Sequence, residues 1–98
     1  MEMLFFEWDQ NKNEINKAKH RVSFEEAETV FYDENAIMIP DPDHSDIGEE
    51  RFIMLGFSAA ARLLVVCHCC RGADNVIRII SARKATAQEA RQYDDMEV

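Results

Sequence analysis

No apolar run in the 98-residue chain approaches the roughly 18–20 residues needed to span a bilayer, and the acidic N-terminus lacks the pattern of a signal peptide. A soluble, cytoplasmic protein is expected, with no membrane partner. The chain has no repeat, linker or low-complexity tract, so residues 1–98 are read as a single domain, large enough for a core but with little stability to spare. Cysteine is scarce and poorly placed for disulfides. Cys67, Cys69 and Cys70 form an odd, clustered set among Leu and Val, which suggests buried thiols in a reducing compartment. Basic residues are few, 11 against 19 acidic, and the net charge of −8 argues against an indiscriminate nucleic-acid binder.

What is present is ordinary for a globular protein, 47% apolar and 31% charged, but the charge is uneven. Residues 1–50 carry 4 basic and 14 acidic side chains, whereas residues 51–84 carry 6 basic and 1 acidic. One reading is an anion-facing surface in the second half. The other is an acidic helical layer that pairs with a basic sheet inside one monomer.

The stretch Val76-Ile77-Arg78-Ile79-Ile80-Ser81-Ala82-Arg83-Lys84 organises the rest. It begins as a β-branched run suited to a covered strand and ends in a basic pair just before a helix. Ahead of it, Leu4 to Trp8 reads as a short aromatic strand and Asp9 as the N-cap of a polar helix running to about His20. Ile15 and Ala18 are the main apolar positions of that helix. Ser23 and Glu26 form a capping box for a second helix, with Val22 stapled to Ala27 and Phe24, Ala27, Val30 and Phe31 facing the core. Strands are expected at residues 36–39, 51–57 and 62–71, and a hairpin turn at Gly72-Ala73-Asp74-Asn75 leads into the organising stretch. Thr86 and Glu89 make a second capping box for a helix through Tyr93. The order predicts an α+β domain in which N-terminal helices pack on a four- to five-stranded antiparallel sheet with a C-terminal helix.

If Arg71 faces Val76, alternation puts Arg62, Leu64, Val66, His68 and Cys70 on one face with Ile77, Ile79, Ser81 and Arg83. Arg62 and Arg83 then form a phosphate clamp near Ser81, or else edge arginines bound to carboxylates of the first half. His20, at the close of a basic helix, and His44, in the acidic loop, are candidate proton carriers, whereas His68 reads as a core histidine. Cys67-His68-Cys69-Cys70 does not make a metal site, because neighbouring strand residues point to opposite faces and no second ligand pair is present. Nothing near the thiols marks one as a nucleophile.

Several segments together resemble the BrnT family of bacterial type II toxins: Phe6-Glu7-Trp8-Asp9, Lys19-His20, Val22 to Ala27, His44-Ser45, Glu50-Arg51, Gly56, Ser58, Arg62 to Val66 and, most specifically, Ile77 to Thr86. The resemblance implies a RelE-like fold and a metal-independent endoribonuclease, without cofactor, that cuts RNA to inhibit translation. It also implies a BrnA-type antitoxin with a DNA-binding domain, through which alone the toxin reaches operator DNA. Carried onto this chain, the catalytic candidates are His20 as acid or base, Arg62 and Arg83 for charge stabilisation, and Ser81; Lys19, Arg78 and Lys84 would bind RNA. The alternative is a weak or inactive toxin fold that serves as co-repressor with its antitoxin, a role that the acidic charge suits. Arg21 stands where the resemblance leads to glycine, which puts the turn between the helices in question, and Ala61 stands in place of another glycine before Arg62-Leu63-Leu64.

Overall fold

The computed structural model describes residues 4–41, 50–71 and 75–96. The chain runs β1 (Phe5–Glu7), α1 (Gln10–His20), α2 (Phe24–Thr29), a 3-10 turn (Val30–Tyr32), β2 (Ile37–Pro40), β3 (Arg51–Phe57), β4 (Leu63–Arg71), β5 (Val76–Lys84) and α3 (Ala87–Met96). This is the α+β succession expected. The strands form one sheet in the order β1-β5-β4-β3-β2. Strands β2 to β5 pair antiparallel, but β1 joins β5 in parallel, with Phe5 opposite Val76 and Glu7 opposite Arg78. The sheet is therefore mixed rather than wholly antiparallel. A long connection through two helices and a meander separates β1 from β5, and a crossover of that length permits parallel pairing.

Helices α1 and α2 and the 3-10 turn cover one face, termed the helix face. Its core joins Val22, Phe24, Ala27 and Val30 to Leu64, Val66, Ile77, Ile79 and Ala82. On the opposite face α3 covers one end only, where Tyr93 packs with Leu55 and Val65. The rest of that face is left to the site described below.

The β4–β5 ladder starts with Arg71 opposite Val76, but Cys67 lies opposite Ser81 while His68 lies opposite Ile79. Ile80 is thus an extra residue, a bulge, and the alternation inverts beyond it. Ile77, Ile79 and Ala82 all enter the helix-face core, whereas Ser81 and Arg83 turn to the other side. The expectation that Ile77, Ile79, Ser81 and Arg83 share a face is corrected here.

Helix α1 docks without its apolar positions, Ile15 and Ala18. Ile15 is 64% exposed, and the buried side chains are Asn13 and Asn16. Strand β1 ends level with Arg78, so beyond it no strand among the described residues pairs with the outer edge of β5. Asn16 fills that gap: its Nδ2 donates to the carbonyls of Ala82 and Val22, each at 2.8 Å, and its Oδ1 accepts from Ala82 N at 3.2 Å. Asn13 similarly accepts from Phe24 N at 2.8 Å and donates to Glu25 at 2.9 Å. Buried amides thus replace the apolar stripe that a docked helix ordinarily needs.

Asp9 caps α1 as expected, accepting from Asn11 N at 2.8 Å. Arg21 ends the helix at φ 60°, and Ala61 turns the β3–β4 connection at φ 61°. Both adopt the left-handed conformation that glycine tolerates best, so the turn between the helices keeps a glycine-like path without the glycine. Gly56 is required for space: a Cβ there would lie 2.9 Å from Ala36 Cβ and 3.1 Å from Asp33 Oδ2. Among the described residues no helix is long and apolar enough to cross a membrane.

Candidate functional site

The inversion at Ile80 builds a cleft on the face that α3 leaves open. Arg51 from β3, Ser81 and Arg83 from β5, and Asp41 beyond β2 supply its polar lining, over a floor of Ile53, Val65, Cys67 and Ile80. Its volume is about 210 Å³. Such a volume suits one phosphate with its adjoining sugar better than a buried cofactor.

Arg83 is held in a fixed pose. Its Nη1 and Nη2 donate to the two oxygens of Glu89 at 2.8 and 2.9 Å, and Nη1 reaches the Lys84 carbonyl at 3.3 Å. Glu89 also completes a reciprocal capping box, accepting from Thr86 N at 2.8 Å and donating from its own N to Thr86 Oγ1 at 3.2 Å. The Arg83 guanidinium and the Thr86 bonds pull the Glu89 carboxyl down to about 2. Cys67, the Cα partner of Ser81, lies between them and Arg51. Burial and the Asp41 carboxylate raise its thiol above the ordinary range, against the pull of Arg51 and Ser81. A thiol so placed stays protonated and is no nucleophile.

Arg62 is elsewhere. At the helix-face end of β4 its Nε donates to Glu26 Oε2 at 2.9 Å, its Nη2 to Glu26 Oε1, and Nη2 also to the Arg21 carbonyl at 3.0 Å. Ser58 Oγ donates to the same carboxylate at 2.7 Å. Hydrogen bonding from Arg62 lowers the Glu26 carboxyl and raises Arg62. The clamp expected between Arg62 and Arg83 does not form, because the bulge sends them to opposite faces. Arg62 instead takes a carboxylate of the first half, while the partner of Arg83 comes from α3.

The other candidates divide along the same line. Lys84 lies opposite Leu64 on the helix face, close enough to Glu26 to lower its carboxyl. Lys19 and His20 lie in the last turn of α1; His20 is four residues beyond Asn16 and shares its sheet-facing side. Neither lines the cleft. Arg78 pairs with Glu7 at 3.1 Å across the β1–β5 ladder. His44 lies outside the described residues. His68 is buried against Phe31, with ring centroids 4.8 Å apart, and its Nδ1 lies 3.3 Å from the Val66 carbonyl. Burial lowers its pKa, as suits a neutral core histidine.

Sequence reasoning missed Arg51 and Asp41 as cleft residues and Glu89 as the partner of Arg83. Arg51 had a signal: in β3 it stands two and four positions from Ile53 and Leu55, on the same face. Among the described residues no group of three or more His, Cys, Asp or Glu is arranged to hold a metal ion.

A family model described as the ribonuclease toxin BrnT of type II toxin-antitoxin systems matches residues 8–89. The 1.1 Å crystal structure of the Brucella abortus ribonuclease toxin BrnT is similar in fold, with a TM-score of 0.66 at 22% identity, covering 86% of this chain and 99% of that one. No curated protein matches the chain.

Proposed function

Since the chain belongs to the BrnT family, ribonuclease toxins of type II toxin-antitoxin systems, we propose that it is a metal-independent endoribonuclease whose reaction centre is the cleft holding Arg51, Ser81 and Arg83. The observation that carries this reading is the convergence of two guanidiniums and a hydroxyl from two strands, β3 and β5, in one phosphate-sized hollow. In metal-free cleavage the 2′-oxygen of RNA gives up its proton and attacks the adjacent phosphorus, the bond to the 5′-oxygen breaks as that oxygen takes a proton from water, and the pentavalent transition state carries extra negative charge. Arg83 and Arg51 stabilise that charge, and Ser81 donates a hydrogen bond to a phosphate oxygen. Asp41, the carboxylate of the cleft lining, is placed to accept the 2′-hydroxyl proton. Lys19, His20, Arg62 and Lys84 at the helix-face end, and Arg78 toward β1, carry the flanking RNA backbone. RNA cutting of this kind would inhibit translation. The antitoxin that such a system implies is proposed to be BrnA-type, carrying the DNA-binding domain that brings the pair to operator DNA.

The test is RNA cleavage by purified protein in EDTA, with Arg83→Ala as the control. Cleavage by the parent and loss in the control is the expected result. Cleavage unaffected by Arg83→Ala would move the reaction centre out of the cleft. One observation favours a second reading: Arg83 is already neutralised by Glu89 in a chain of net charge −8. A folded parent that cuts no RNA, alone or with translating ribosomes, would favour a binding module that acts as co-repressor with its antitoxin.

A further inference from the structure

We propose that Glu89 is a positioning residue for Arg83, holding its guanidinium so that one edge is presented to a phosphodiester in the cleft. The inference rests on the reading of the cleft given above and extends it to a group that does not line the cleft itself. Arginine offers two forks of paired N–H groups, an end-on fork from Nη1 and Nη2 and a side-on fork that includes Nε. Glu89 takes the end-on fork, at 2.8 and 2.9 Å, and the Lys84 carbonyl takes a further bond from Nη1. The edge carrying Nε–H lies outside that pair, and Arg83 is among the residues that line the cleft.

Glu89 is itself anchored. Its Oε1 accepts from Thr86 N at 2.8 Å, and its N donates to Thr86 Oγ1 at 3.2 Å, so the carboxylate is tied to the first turn of α3. It cannot follow Arg83 toward a ligand without uncapping that helix. Glu89 therefore fixes one geometry in place of the many that a free arginine samples, and a preorganised donor acts more strongly on developing charge than on the ground state. Charge balance points the same way. Arg51 and Arg83 against Asp41 and Glu89 sum to zero, which suits an internal phosphodiester with one negative charge better than a terminal phosphate with two.

The test compares Glu89→Ala, Glu89→Gln, Thr86→Ala, Arg83→Ala and the Arg83→Ala/Glu89→Ala double variant. RNA cleavage kinetics are the first readout. The second is the affinity for a 2′-O-methyl RNA oligomer, which lacks the attacking hydroxyl and cannot be cut. The expected result is a loss of tenfold or more in kcat for Glu89→Ala with a smaller change in KM, and no added loss from Glu89→Ala once Arg83 is gone. Thr86→Ala, which removes the cap hydroxyl but keeps the Arg83 pair, should lower the melting temperature and leave kcat within twofold. Glu89→Gln keeps the oxygen that accepts from Thr86 N, and it carries the same comparison if Glu89→Ala fails to fold. Losses that multiply in the double variant, or a Thr86→Ala enzyme as slow as Glu89→Ala, would overturn the proposal and leave Glu89 a helix cap. If the parent cuts no RNA, the ribonuclease reading fails and binding decides: a Glu89 variant that weakens oligomer affinity threefold or more, but not in the Arg83→Ala background, upholds the positioning role, and unchanged affinity ends it.

Discussion

Asn16 and Ala82 are joined by two hydrogen bonds, from the Asn16 amide to the Ala82 carbonyl at 2.8 Å and from the Ala82 amide to Asn16 Oδ1 at 3.2 Å. One side chain thereby occupies both ladder positions that a longer β1 would have filled. It does so next to the bulge, at the residue between Ser81 and Arg83.

Replacing Asn16 by Ala leaves the Ala82 N–H, its carbonyl and that of Val22 to find new partners at a site only 6% exposed. A loss of about 2–4 kcal/mol is expected, since each buried group left unsatisfied costs about 1–3 kcal/mol and the groups act together. Urea denaturation measures it. An Asn16→Ala protein within about 0.5 kcal/mol of the parent would show that β5 holds its bulge unaided.

Glycine at Arg21 or Ala61 should stabilise the protein. Both residues hold left-handed backbone, at φ 60° and 61°, which costs an L-residue about 1 kcal/mol relative to glycine. The Arg21 carbonyl that accepts from Arg62 survives the change. A rise in melting temperature for each variant, additive in the pair, is the expected outcome of a thermal scan.

Acid should destabilise the fold in two stages of the same sign. His68 has a folded pKa lowered from 6.5, so the unfolded chain takes the proton first and stability falls as pH drops below about 6.5. Glu89, lowered from 4.5 to about 2, contributes stability that is complete above its unfolded value and is lost as pH falls from about 5 toward 2. The exposed side of Arg83, 42% accessible, holds that second loss to about 1 kcal/mol. Melting temperatures between pH 3 and 8 should rise with pH, and Glu89→Gln should make the acidic limb shallower without removing it, because Glu26, Glu25 and Asp33 are lowered too.

Arg62→Ala and Arg83→Ala should fail in different ways. Arg62 is bound through three donor contacts to Glu26 and Arg21. Its removal leaves a partly buried carboxylate short of its cation, a cost of about 1–3 kcal/mol in stability. Arg83→Ala should cost less stability and more cleavage. Denaturation and single-turnover kinetics on both variants separate the two. Equal effects of the two variants on the chemical step would place Arg62 at the reaction centre rather than on the flanking RNA.

Much of this architecture was legible in the residues. Asp9, Ser23 and Thr86 announced three helix starts, and Arg71 opposite Val76 gave the hairpin its true beginning. Alternation alone then placed Ile77 and Ile79 correctly. It failed at Ile80, because a bulge leaves no mark when the extra residue is as β-branched as its neighbours. From there on Ser81 and Arg83 were assigned to the wrong face. Asn13 and Asn16 were hidden for a related reason: a polar helix reads as solvent-exposed unless its amides have backbone groups to satisfy, and which strand edge falls short is a tertiary fact. The parallel pairing of β1 was equally out of reach, since three residues carry no sign of direction.

The bulge makes facing in β5 a matter of counting rather than of chemistry. Ile80 has no partner in β4, so Cys67 opposite Ser81 and Val65 opposite Arg83 are the pairs an unbroken ladder would reach without it. Remove that one residue and plain alternation still carries Ser81 and Arg83 to the cleft and Ala82 and Lys84 to the helix face. Keep it in a straightened strand, and every side chain after it changes sides: Arg83 would swing toward Glu26, and Lys84 would be delivered to the cleft in its stead. A survey of variants at this position would therefore look open to deletion as well as to replacement, the signature of a residue looped out so that its neighbours keep their places.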